Sequence, residues 1–82
     1  VMSVRGSREM IWVEIPLGAS VIGSQIQELN LSPDTIINAI IGRDGSLKQV
    51  QPDTVIAAYD QILALTKSDD AGVFLDALTR EE

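Results

Sequence analysis

Eighty-two residues, 45% of them hydrophobic, make one small domain with an aliphatic core, too apolar for disorder. Neither Cys nor His occurs, which excludes disulfides, zinc–thiolate sites and His-based acid–base or nucleophilic catalysis. Twelve acidic residues against six scattered basic ones leave a net charge of −6, which argues against DNA, RNA or anionic lipid as a partner.

Residues 1–7 (VMSVRGS) are polar and carry no periodicity, so they read as a linker or remnant ahead of a domain over 8–82. From Arg8 onward Met10, Trp12 and Glu14 alternate with Ile11, Val13 and Ile15, the period of a strand that Pro16 and Gly18 stop. Ser24 and Gln27 are spaced for reciprocal capping, and Ile22, Ile26 and Leu29 form one stripe of a short helix ended by Asn30 and Ser32-Pro33. Residues 35–42 (TIINAIIG) are rich in β-branched side chains and predict a strand. Strict alternation puts Ile37, Ala39 and Ile41 on one face and Ile36, Asn38 and Ile40 on the other. Both faces are then mostly apolar, and each needs cover from the core, a helix, a ligand or a second subunit.

Asp44-Gly45 signals a tight hairpin with a return strand over residues 47–50. Pro52-Asp53 marks a turn, and residues 54–59 read equally as a helical turn or an extended segment. Residues 61–66 (QILALT) predict a closing strand. Ser68 then suits an N-cap, and Ala71, Phe74, Leu75 and Leu78 form the stripe of a terminal helix. The hairpins imply an antiparallel or mixed sheet, so the fold class is α+β with one short helix and one C-terminal helix.

No catalytic set emerges. The carboxylates Asp53, Asp69 and Asp70 sit at turn and helix-start positions, where structural roles are common. No calcium loop and no glycine-rich phosphate loop is present, so no metal ligand or cofactor site is assigned. Asn38 is an amide in an aliphatic strand: a ligand-recognising or subunit-bridging group if buried, an ordinary solvent-facing one if not. Trp12 reads as a core or dimer contact, with a binding-site role as the alternative. Arg43, beside the hairpin, either meets an anion or stays exposed. No apolar run approaches the roughly 20 residues of a membrane span. The absence of Cys fits a reducing cytoplasm. Beginning at Val1 instead of Met, the chain reads as a piece of a longer protein.

The order of these signals resembles the TrkA C-terminal (RCK-C) domain of potassium-channel and transporter regulators. Ile22, Gly23, Ile26, Leu29 and Leu31 match its hydrophobic-Gly-x-x-hydrophobic-x-x-Leu-x-Leu segment, and IINAIIGRDG matches its strand ending in Arg-Asp/Gly. Pro52, Thr54 (one position early), Ile56, Asp60, Ile62 and Leu63 match the next element, with Tyr59 standing where the family usually has Gly. The resemblance covers residues 9–78. It implies a cytoplasmic regulatory domain without enzymatic activity, a homodimer that acts on a membrane channel or transporter. It also implies a nucleotide ligand, cyclic di-AMP, held between subunits by Leu29, Ile36, Ile37, Asn38 and Pro52. The nearest cations to that set in sequence are Arg43 and Lys48. The alternative is a dimerisation or scaffolding module of a carrier or antiporter with no ligand of its own.

Overall fold

The computed structural model describes the backbone of Met2–Val4 and all of residues 7–81. Five strands form one antiparallel sheet: β1 (Met2–Val4), β2 (Arg8–Glu14), β3 (Ile36–Ile41), β4 (Leu47–Lys48) and β5 (Gln61–Lys67), in the order β1-β2-β5-β3-β4. A 3₁₀ turn (Ile26–Glu28) and the helix α1 (Ala71–Thr79) complete the α+β domain.

β2 and β5 pair along their whole length, from Arg8 opposite Lys67 to Glu14 opposite Gln61. Opposed residues share a face, so Ile11 and Val13 lie beside Ala64 and Ile62, all buried. Phe74 and Leu78 of α1 close on this face with Ile15, Ile40 and Ile56. Each fully buried Ile, Leu or Phe here contributes about 1.5–3 kcal/mol relative to exposure. The terminal stripe therefore forms as predicted, with Ala71 and Leu75 half-buried at its margins.

Several expectations change. Met2–Val4, read with residues 1–7 as a linker, pairs with β2 as an edge strand; three residues are too few to show a period. The predicted two-turn helix shrinks to a 3₁₀ turn. Here the Ile26 and Gln27 N–H groups donate to the Thr54 and Pro52 carbonyls (both 2.9 Å), and the neighbouring segment dictates the backbone path. Its cap is Gln25, whose N–H donates to Glu28 Oε1 at 2.7 Å, in place of the Ser24–Gln27 pair. The segment 54–59 is extended where it matters, bridging Gln25 to Val55. Ser68 ties back to the Ser7 carbonyl through both its N–H and its hydroxyl (2.7 Å each), and a 3₁₀ turn precedes the helix.

The largest change lies in β3. The register slips between Ile37 and Ala39, leaving Asn38 as the extra residue of a β-bulge. Ile37 faces Ala64 and Ile40 faces Ile62, so both belong to the core side; Ile36, Ala39 and Ile41 belong to the other. Strict alternation is broken by one inserted residue. Asn38 is exposed, so the desolvation cost that made it conspicuous in sequence is not incurred. Trp12 is 52% exposed, on the side of the sheet away from the core.

Candidate functional site

β4 pairs only with Ile40 and Ile41, so the first half of β3 has no strand beyond it. A groove of about 410 Å³ lies along this open edge. Its walls come from three separated segments: Leu29 and Leu31 after the 3₁₀ turn, Thr35 and Ile37 at the start of β3, and Val50 to Pro52 after β4. Local bonding holds each wall. Gln27 N–H donates to the Pro52 carbonyl, and the Thr54 hydroxyl donates to the Gln49 carbonyl (2.7 Å) while accepting from Gln51 N–H (2.9 Å). The Thr35 hydroxyl is shared with that of buried Thr66 at 2.8 Å.

Of the five ligand-binding candidates, the structure brings Leu29, Ile37 and Pro52 into this groove. Ile36 faces the opposite side of the sheet, beside Leu65, and Asn38 stands exposed at the bulge. Sequence reasoning missed Thr35, Val50 and Gln51 as lining; nothing in their identities marks them, since the fold alone makes them neighbours. The lining holds no Lys or Arg, and its polar groups are the amides Gln27 and Gln51 and the Thr35 hydroxyl.

A second cleft, about 660 Å³, lies at the other end of β3 between the hairpin and the turn before β5. Lys48 is ion-paired at this cleft, and Arg43 is stacked on a ring. Lys48 Nζ sits 2.8 Å from Asp60 Oδ2 and also donates to the Val55 carbonyl at 2.8 Å; the Asp60 side chain is 3% exposed. Asp60 Oδ2 accepts a further bond from Ala57 N–H at 2.9 Å, and no buried polar side-chain atom among the described residues lacks a partner. Arg43 lies over the Tyr59 ring, 5.3 Å from its centroid. Tyr59 occupies the left-handed region (φ 66°), its N–H donating to the Ile15 carbonyl at 2.7 Å. The hairpin is fixed by Gly45 at φ 86° and by Asp44, whose carboxylate accepts from both the N–H and the hydroxyl of Ser46. Those bonds from Ser46 hold the Asp44 carboxyl below its ordinary pKa of 3.8.

Both regions lie within the residues that a known family shares. The family model for the TrkA-C domain matches residues 10–79, and the chain belongs to that family. It is also 32% identical over 79 residues to the Trk system potassium uptake protein TrkA homolog of Archaeoglobus fulgidus. The aligned region takes in 92% of this chain but 18% of that protein, so the chain spans about a fifth of the relative's length. Among the described residues no helix is long and apolar enough to cross a membrane, and no group of three acidic side chains is placed to hold a metal ion.

Proposed function

We propose that this domain is a non-enzymatic regulatory module of a potassium, or other monovalent cation, channel or transporter. It works at the cytoplasmic face, as a homodimer, and responds to a small ligand taken up in the groove along the open edge of β3. Family membership supports the regulatory role, and the relative named for potassium uptake supports the cation. The observation that carries the ligand part is the convergence of Leu29, Ile37 and Pro52 from three separate segments onto one apolar groove. Such a concavity, with few polar groups, suits a flat heteroaromatic ring. Cyclic di-AMP, seated where two copies meet, is the ligand proposed, because its two adenines match two symmetry-related grooves. Binding then biases the pair between two arrangements that a membrane pore can feel.

The groove contains no cation for the phosphates, and that observation favours the second reading, a scaffold that pairs without a ligand. Calorimetric titration with cyclic di-AMP, with ATP and cyclic di-GMP as controls, separates the two. Saturation near one cyclic di-AMP per two chains supports the sensor. No heat from a folded, dimeric chain rejects it in favour of the scaffold.

A further inference from the structure

β5 is the central strand, and the two faces of the sheet around it are covered differently. Ile62, Ala64 and Thr66 are fully buried on the core side, where α1 lays down Phe74 and Leu78. On the other side Leu63 and Leu65 are half-buried, and no described element packs over them. Two apolar rows cross this outer face. Met10, Leu65 and Ile36 form one; Trp12, Leu63 and Ala39 form the next, with Trp12 and Ile36 52% and 54% exposed. Contiguous apolar surface of this kind marks a contact with another molecule. The groove begins at Ile37 on the core side of β3, so two copies that meet at the groove leave this face open.

Dimensions and charge describe the occupant. Three strands at about 4.8 Å spacing are about 10 Å across, the width of one helix. The two rows are about 7 Å apart along the strands, close to the rise of about 6 Å between residues i and i+4 of a helix. The sheet already takes one helix in this way, since α1 covers its core side. The ends of the outer face carry opposite charge. Arg8 and Lys67 stand opposite each other at one end of the β2–β5 ladder, Glu14 and Gln61 at the other, about 20 Å away. Lys67 is paired with Asp34 at 3.0 Å, while Arg8 and Glu14 form no ion pair among the described residues. A helix is positive at its N-terminus and negative at its C-terminus. The face therefore accepts a helix in one direction, from Glu14 toward Arg8, parallel to β5 and antiparallel to β2.

We infer that the outer face binds an amphipathic helix of the channel or transporter that the domain regulates. To span the face that helix needs about 13 residues, with apolar side chains at i, i+4, i+7 and i+11. Its first turn is basic, to meet Glu14, and its last is acidic, to meet Arg8. The inference rests on the regulatory reading proposed above. The groove side takes the ligand and the second copy, and the outer face passes the rearrangement of the pair to the pore protein.

Trp12 is the single Trp of the chain, so its emission reports on this face. The probe is a synthetic, hydrocarbon-stapled helix of about 13 residues with that stripe, lysines in its first turn and glutamates in its last. Added to the 82-residue chain, it is expected to shift Trp12 emission to the blue with saturation. The amides of Leu63 and Leu65 move, and those of Gln27 and Gln51 stay in place. A nitroxide at the start of the probe broadens the amides of Glu14 and Gln61; one at its end broadens those of Arg8 and Lys67. Trp12→Lys, shown folded by circular dichroism, weakens binding about tenfold or more, and Arg8→Glu about threefold or more. No saturable shift, or shifts confined to the groove amides, overturns the inference. So does a blue shift of Trp12 on concentrating the chain without probe, which gives the face to a second copy. Broadening in the reverse order overturns the helix direction. Titration with cyclic di-AMP in parallel keeps the two readings apart. A chain that binds the nucleotide but not the helix keeps its proposed ligand and loses this surface. One that binds the helix but not the nucleotide keeps the surface and loses the ligand.

Discussion

The two clefts on either side of β3 differ in what their side chains have left to offer. At the hairpin end Lys48, Asp60, Arg43 and Tyr59 bind one another. The larger cleft thus has its part-buried charge pair satisfied within the chain, and its exposed Arg43 stacked on Tyr59. At the open-edge end Leu29 and Ile37, half-buried against the core, and exposed Pro52 line the groove with apolar surface that makes no polar bond. Size and charge alone would choose the first cleft as the binding site. Counting which groups are already partnered chooses the second, and makes the first a clamp that fastens the hairpin to the turn before β5.

The clamp is the place to break this contrast most forcefully. Asp60→Ala leaves the Lys48 ammonium partly buried without its counter-ion and the Ala57 N–H unpaired, and should cost about 3–5 kcal/mol by urea denaturation. A loss under about 1 kcal/mol would mean that the corner is an ordinary surface pair. Tyr59 offers a second, smaller handle. At a φ of 66°, Tyr59→Gly should be more stable than Tyr59→Val by about 1–2 kcal/mol, since a β-branched side chain is poorly tolerated there. Equal stability would show that the turn relaxes around either residue.

Gln51→Glu sharpens the other side of the contrast. An added carboxylate at the groove should weaken binding of an anionic dinucleotide about tenfold by titration while leaving stability within about 0.5 kcal/mol. Unchanged affinity would move the ligand elsewhere.

The smallest effect concerns Asp34, whose carboxyl is held below its ordinary 3.8 by the hydrogen bond from Lys67, then by the Lys67 charge and, more weakly, that of Arg8. A depressed carboxylate stabilises the fold above its unfolded pKa, and this contribution is lost as pH falls through the folded value. Carbon-detected titration should therefore place the Asp34 midpoint below 3.8, and Lys67→Ala should return it toward that value.

Much of the fold was legible because periods are long-lived signals. β2 alternates buried and exposed from Ile11 to Glu14, and α1 carries a four-residue stripe of which Phe74 and Leu78 are buried and Ala71 and Leu75 half-buried. β3 was legible as a strand but not in its facing. One extra residue at Asn38 reverses the sides of everything after it, and nothing in TIINAIIG announces a bulge. β1 is too short to have a period. The groove was half-legible: Leu29, Ile37 and Pro52 came from the family pattern, whereas Thr35, Val50 and Gln51 join them only through long-range packing. The Lys48–Asp60 clamp spans twelve residues and two turns. Asp60 was visible only as one position of a motif, with no hint of its partner.

The most direct test of the contrast is an amide chemical-shift map of the chain titrated with cyclic di-AMP. The account predicts that the amides of Gln27, Ile37 and Gln51 move together and saturate, while those of Arg43, Asp44, Ala57 and Asp60 stay in place. Shifts centred on Arg43 and Ala57 would contradict it and hand the site to the charged cleft; a spectrum that does not move at all would leave neither cleft a site for this ligand.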